Sequence, residues 1–164
     1  MQLPFECPLE LHATYTRDEM LAGLGHWTLQ HQPPMREGVL RLPQLPADLF
    51  LITLQKTETD YSPTTMYEDY AISDTLFHWQ SQSTTSADSP TGRRYREQQR
   101  LGHTILLCVR ENKSNNPQQT APYYFLGPAD YVSHSGSAPM SIIWRLRYPL
   151  PASLLRRTAR VATG

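Results

Sequence analysis

The segment YYFLGPADYVSHSGSAPMSIIWRLRY, residues 123–148, decides how the chain is built. Tyr123 to Leu126 and Ala129 to His134 read as two short strands broken at Gly127-Pro128, where proline cannot donate to a ladder and glycine admits a sharp bend. Ser135-Gly136-Ser137 then turns the chain into a last strand, Ser141 to Tyr148. Successive side chains of a strand point to opposite faces. Trp144 and Leu146 therefore share one face of that strand, while Arg145 and Arg147 share the other and meet solvent or ligand.

Upstream, Thr104 to Arg110 carries the apolar run TILLCV, a buried strand in which Cys108 is a buried thiol. Between them Glu111 to Ala121 (ENKSNNPQQTA) is a low-complexity loop. Gly38 to Leu42 and Leu49 to Gln55 are strands, the second apolar enough to be central. Thr75 to Gln82 alternates, with Leu76, His78, Gln80 and Gln82 on one face and Phe77, Trp79 and Ser81 on the other. Lys56 to Asp74 is irregular, and Pro90-Thr91-Gly92 marks a turn. Thr16-Arg17-Asp18-Glu19 is a capping box opening a short helix that Gly25 stops. Arg93 to Leu101 forms a second short helix ended by Gly102. Pro151 begins a third, through Arg157, because proline suits the first helical position. Met1 to His12 is an extended lead-in. The sum is a single small α+β domain, residues 1–164, with a strongly bent, barrel-like sheet and two or three short helices.

The totals narrow the function classes. The chain of 164 residues carries fifteen basic and fifteen acidic side chains, a formal net charge of zero. Its halves are opposed: Met1 to Gly92 holds four basic and twelve acidic residues, and Arg93 to Gly164 holds eleven basic and three acidic. Thirteen of the fifteen basic residues are arginine, only Lys56 and Lys113 being lysine. Bidentate contacts to phosphate or carboxylate would favour that bias, and so would a GC-rich genome. Cys7 and Cys108 match no zinc or redox spacing. No apolar run approaches a membrane span and no signal peptide is visible, so the cytoplasm is the expected compartment.

The stretch from Asp60 to Tyr95, DYSPTTMYEDYAISDTLFHWQSQSTTSADSPTGRRY, carries the binding chemistry. It holds four of the nine tyrosines and a run of hydroxyl and amide side chains from Gln80 to Ser86. Buried polar groups need partners, so such a run is expected at a surface. Tyr61, Tyr67, Tyr70 and Trp79 are candidate platforms for an exposed or flipped base, with Tyr67 and Trp79 sandwiching it; core packing is the favoured reading for Tyr70 and at least one other. His78, Gln80, Gln82 and Ser83 are placed to read base edges. Arg93, Arg94 and Arg96, with Arg36 ahead of the first strand, are candidate phosphate contacts, which give affinity without sequence information.

Enzyme readings lack their motifs. There is no G-x-x-x-x-G-K-[ST] loop, no His-Glu-x-x-His, no H-x-K-x-x-x-x-D and no Gly-x-Ser-x-Gly elbow. Glu58, Asp60, Glu68, Asp69 and Asp74 cluster, but the Glu-x-Lys pair of many restriction nucleases is missing, and the cluster reads as a solvated acidic loop. A magnesium-dependent nuclease using Asp60, Glu68 and Asp69 is the third-ranked alternative. No catalytic residue, metal or cofactor is expected.

The blocks REGV, LITLQKTETDYSPTTMYEDYAIS, LFHWQSQSTTS, SPTGRRY, YFLGPADYVSHSGSAPMSIIWRL and PLPASLL resemble an uncharacterised domain at the C-terminal end of many bacterial superfamily II (DEAD/DEAH-type) helicases. Those helicases often carry a phospholipase-D-like nuclease domain as well. The resemblance runs from about Leu3 to Leu155. It implies an accessory module of a DNA-processing, restriction or phage-defence machine, partnered with helicase and nuclease domains in cis or in trans. The chain is then either an excised domain or a free-standing relative. The closing strands also look like those of PUA-like barrels, the group of the SRA and YTH modified-base readers. The expectation is a DNA-binding module, with a protein-docking module for the helicase or nuclease as the alternative.

Overall fold

The computed structural model describes residues 1–26, 38–54, 69–112, 114–116 and 119–159. In chain order the elements are β1 (Thr14–Tyr15), α1 (Arg17–Gly23), β2 (Val39–Leu42), β3 (Ala47–Thr53), β4 (Tyr70–Ala71), β5 (Leu76–Gln80) and α2 (Pro90–Arg96). There follow β6 (Thr104–Arg110), β7 (Ser114–Asn116), β8 (Gln119–Thr120), β9 (Tyr123–Ser135), β10 (Ser141–Leu146) and α3 (Ala152–Thr158). Eight strands form one sheet in the order β2-β3-β6-β9-β10-β5-β4, with β1 paired to β9 off that path. β3 and β6 run parallel and the remaining pairs antiparallel. The fold is a small α+β domain, and the sheet ends at β2 and β4 without closing. The expected barrel is thus an open, bent sheet.

Its bend is written in side-chain contacts. The ring of Phe50 on β3 lies 4.4 Å from Trp79 on β5 and 5.6 Å from Trp144 on β10, although β6 and β9 separate β3 from those strands along the sheet. The inner, concave face holds Phe50, Ile52, Phe77, Trp79, Ile105, Leu107, Ile142 and Trp144, closed over by Tyr95 of α2 and Leu154 of α3. Behind β3 and β6 lies a second core. There Leu49, Leu51, Leu106, Cys108 and Phe125 meet Met20 and Leu21 of α1 and the lead-in residues Leu9, Phe5 and Cys7. Buried on both faces, β3 and β6 read as near-continuous apolar runs rather than alternating ones. Burial pushes the Cys7 thiol up and the Cys108 thiol well up.

β9 is one strand of thirteen residues where two were expected. Gly127 adopts φ +81° and takes up a register shift against β6, so the strand bends there instead of stopping. A Cβ on Gly127 would sit 2.6 Å from Leu11 Cδ2, so the lead-in packs directly on the bend. The first half of β9 pairs with β6 and the second with β10.

The helix starts follow their caps. In α1 the Thr16 hydroxyl accepts the Glu19 amide at 3.1 Å and Glu19 Oε1 accepts the Thr16 amide at 2.8 Å, the expected capping box. Pro90-Thr91-Gly92, expected as a turn, is the first turn of α2. Ser89 caps it by accepting the Gly92 amide at 3.1 Å, and Pro90 sits where a missing N–H costs nothing. α2 ends at Arg96, and turns carry the chain on to Gly102. Pro151 is the N-cap of α3, one position earlier than expected. Within the expected loop 111–121, β7 and β8 pair as a hairpin.

Candidate nucleic-acid interface

Strand alternation divides the candidate residues between two surfaces. On β5, Phe77 and Trp79 point inward and Leu76, His78 and Gln80 outward. On β10, Ile142 and Trp144 point inward, and Ser141, Ile143 and Arg145 outward. Cross-strand register aligns the outward set: Gln80 faces Ser141, His78 faces Ile143 and Leu76 faces Arg145. β4 extends the middle row, Tyr70 facing His78, and β9 continues it through Ser133 opposite Ile143.

The two rings of that middle row are stacked. Tyr70 and His78 lie 5.0 Å apart between centroids with planes 18° from parallel. Beside them come Gln80, Ser141 and Ser135 on one side and exposed Arg145 on the other. Arg147, further along the same face, is held by both oxygens of Asp130 at 2.9 and 3.0 Å, and that hydrogen bonding raises its pKa. Together these groups offer an aromatic surface, an amide, hydroxyls and a cation on one sheet face.

Most of the inner surface is taken up by contacts within the protein itself. Trp79 is 5 % exposed and lies 5.5 Å from Tyr95 in addition to its contact with Phe50, so it is a core residue and presents no face for stacking. Gln82 turns inward too, its Oε1 accepting from Thr85 Oγ1 at 3.1 Å and Tyr95 Oη at 3.3 Å. The hydroxyl-rich run, expected as a binding surface, is stitched to the hairpin after β9. Ser81 Oγ accepts the Met140 amide at 2.8 Å, the Thr85 carbonyl accepts the Ala138 amide at 2.9 Å, and Ser137 Oγ accepts the Ala87 amide at 2.9 Å. Hydroxyls that find partners can be buried, which is why Ser81, bonded to backbone, and Thr85, bonded to the Gln82 side chain, are. Ser83 and Thr84 remain exposed at its tip.

Two arginines of the cluster are likewise spent. Asp48, fully buried on β3, accepts from Arg94 Nε at 2.8 Å and from His103 Nε2 at 3.0 Å. Arg96 donates to the Ala87 carbonyl at 3.0 Å and to Asp88 at 3.2 Å. Arg94 and Arg96 therefore hold α2 to the sheet and to its preceding loop rather than waiting for phosphates. Arg93 is exposed, on a helix packed against the inner face. Of the expected set, the structure brings His78 and Gln80 together, separates Ser83 and Arg93 from them, and buries Trp79. Arg36, Tyr61 and Tyr67 lie outside the described residues.

Asp69, expected in an acidic loop, is buried and accepts the Gln80 amide at 2.9 Å, ending the β5 ladder. Glu58, Asp60 and Glu68 fall outside the described residues. Among the described residues no group of three or more His, Cys, Asp or Glu is placed to hold a metal ion. None of the described helices is long and apolar enough to cross a membrane. Sequence reasoning weighs Tyr70 as a stacking platform and favours core packing for it; the structure leaves it partly exposed. The partial exposure of Tyr70 depends on β4 pairing with β5, and a strand of two residues carries no periodicity to announce it.

A family model described as a domain of unknown function, DUF3427, matches residues 9–158. The chain belongs to the DUF3427 family. The match takes in every element from β1 to α3, so the platform strands and the helices over the inner face are all parts of the DUF3427 domain. DUF3427 domains occur in helicase-associated proteins. No curated protein matches the chain.

Proposed function

We propose that this DUF3427 domain is a nucleic-acid-binding accessory module that serves a superfamily II helicase, as in a restriction or phage-defence machine, by holding DNA against the outer face of β4, β5, β10 and β9. The observation that carries the reading is the aligned row of stacked Tyr70 and His78 flanked by Gln80 and Arg145. Aromatic faces take bases by stacking, amides read base edges and arginine meets phosphate, so the three chemistries of nucleic-acid contact share one surface. A bent sheet around an aromatic core is compatible with a PUA-like fold. A modified-base reader of that kind would need walls other than Trp79.

The test is a fluorescence-anisotropy titration of the intact chain with labelled DNA at low and moderate salt. Binding that is lost in a His78→Ala, Gln80→Ala, Arg145→Ala triple variant with an unchanged melting temperature supports the reading. Absence of binding at low salt, together with co-purification with a helicase motor, overturns it in favour of protein docking. Exposed Ile72 and Val132, at 46 % and 38 %, favour that second reading because they border the platform strands with apolar surface.

A further inference from the structure

We infer that the β2 edge of the sheet docks an extended, acidic segment of a partner protein, which adds to β2 as a further strand. This surface is separate from the outer face and does not depend on its ligand. The two ends of the sheet are finished differently. At one end Ala71 of β4 is bridged in parallel by Ala159, so the chain's own backbone lies along that edge after α3. At the other end β2 pairs with β3 and, among the described residues, with no other strand. Gly38, Arg41, Pro43 and Gln44 are exposed along it.

The register fixes which backbone groups this edge offers. Val39 stands opposite Phe50 and Arg41 opposite Asp48, and the Gly38 carbonyl accepts the Leu51 amide at 2.6 Å. Hydrogen-bonded and non-hydrogen-bonded pairs alternate in an antiparallel ladder. Gly38 and Leu40 therefore turn their backbone groups toward β3, while Val39 and Arg41 turn theirs away from it. Each of those two residues presents an N–H and a C=O to an incoming strand. Sheet edges are commonly guarded by proline, lysine or a bulge. β2 has none of these: it reads VLRL, and its register with β3 is unbroken. Its one charged side chain is Arg41.

Arg41 decides the occupant. Its cross-strand neighbour Asp48 is the nearest anion in the ladder, but that carboxylate accepts from Arg94 at 2.8 Å and from His103 at 3.0 Å. Among the described residues Arg41 forms no ion pair, so an exposed guanidinium stands at the edge beside a carboxylate already matched. An acidic residue opposite Arg41 on an added strand supplies the missing anion, and opposite charges across a ladder are a favourable pair. Leu40 lies on the other face of β2, where it and Leu45 are only partly buried against the second core. Apolar residues alternating with the acidic ones would cover them. The partner is thus an extended segment of alternating acidic and apolar side chains, held by main-chain bonds and selected by charge. A second copy of the chain fits less well. Paired antiparallel through the outward groups of Val39 and Arg41, two copies would set each arginine against an apolar valine, and in-register parallel pairing would bring like charges together.

The experiment uses the intact chain and fluorescein-labelled octapeptides. One alternates valine and glutamate, and a second has lysine in place of every glutamate. Two more are the glutamate peptide N-methylated at its valine amides or at its glutamate amides. Each is titrated by anisotropy up to about 1 mM, and amide hydrogen exchange is followed with and without the glutamate peptide. The glutamate peptide should bind, the lysine peptide should bind at least about fivefold more weakly, and one of the two N-methylated versions should fail. Bound peptide should slow exchange at the outward amides of Val39 and Arg41 and leave Leu40, already turned toward β3, little changed. Arg41→Glu, at an exposed position, should reverse the preference in favour of lysine. Equal binding of the two charges that Arg41→Glu does not alter overturns the inference, as does undiminished binding of both N-methylated peptides. Protection confined to other amides, or no binding up to the highest concentration, overturns it too. Self-association that protects Val39 and Arg41 without any peptide assigns the edge to a second copy and overturns the acidic partner.

Discussion

The two faces of β5 and β10 are made from the same ten or so residues of chain, yet one is finished and the other is not. Inward, Phe77, Trp79, Ile142 and Trp144 are buried against Phe50 and Tyr95, and the polar groups around them are matched: Ser81 to Met140, Gln82 to Tyr95, Asp48 to Arg94 and His103. Outward, Leu76, His78, Gln80, Ser141 and Ile143 are each left partly open to solvent. The difference shows where a bound ligand has something to gain. A group already hydrogen-bonded inside the protein must give up that bond before it can recognise anything else. Trp79, the most conspicuous aromatic of its strand, is thus the wrong place to look.

The contrast breaks most visibly at Trp144. It is fully buried among Phe50, Tyr95 and Tyr131, so Trp144→Ala should cost about 3–5 kcal/mol in a urea unfolding titration. Its indole Nε1 is buried without a hydrogen-bond partner among the described residues. Trp144→Phe, which removes that orphan donor with only part of the volume, should therefore cost much less. Equal losses from the two variants would mean that the N–H is satisfied in solution.

Next in size is the buried carboxylate. Asp48→Ala leaves the Arg94 guanidinium and His103 facing an apolar core end without their anion, and about 3 kcal/mol of stability should be lost. Arg94→Ala should cost a similar amount, and the double variant should cost clearly less than the two added together, because each single change strands the same partner. Additive losses would show that Arg94 holds α2 through packing over Tyr95 instead of through its charge.

A smaller effect is expected where α2 meets the hydroxyl-rich run. A Cβ on Gly92 would collide with the backbone carbonyl of Ser86 and press on that of Ala87. Since backbone cannot swing away as a side-chain tip does, Gly92→Ala should destabilise by about 1–3 kcal/mol despite alanine's better helix propensity. A neutral or stabilising outcome in thermal unfolding would mean that the run yields easily, and that its hydrogen bonds to the Ser135–Met140 hairpin are weak.

How far the sequence went follows from the same contrast. Period-two alternation predicts the split of Leu76, His78 and Gln80 from Phe77, Trp79 and Ser81, and the structure keeps that split. Alternation does not say which face closes on a core. The aromatic face closes because β3 curls over it, a contact between strands that are not sheet neighbours and so invisible to local pattern. The arginines of α2 are legible as a basic cluster, but the buried Asp48 that neutralises Arg94 lies 46 residues away and reads as one polar interruption in a strand. Ser89 before Pro90 is readable as a helix start, and the turn propensity of Pro90-Thr91-Gly92 masks it. β9 differs from the expected two strands because a single glycine bend inside a paired strand looks the same in sequence as a break.

The smallest stability effect belongs to the outer face, and it is the one that sharpens the comparison most. His78→Ala and Arg145→Ala remove side chains that are half-buried and exposed, neither set among the buried residues of the core. Arg145→Ala should shift unfolding by no more than about 0.5 kcal/mol, the range of surface substitutions away from special features. His78 also stacks on Tyr70, so part of any cost can be assigned by a cycle with Tyr70→Ala; coupling above about 1 kcal/mol would mark the pair as a structural clasp. Coupling below that, with the melting curve of each variant superimposed on that of the parent, leaves two aromatic rings held parallel at a surface where the fold gains little from them.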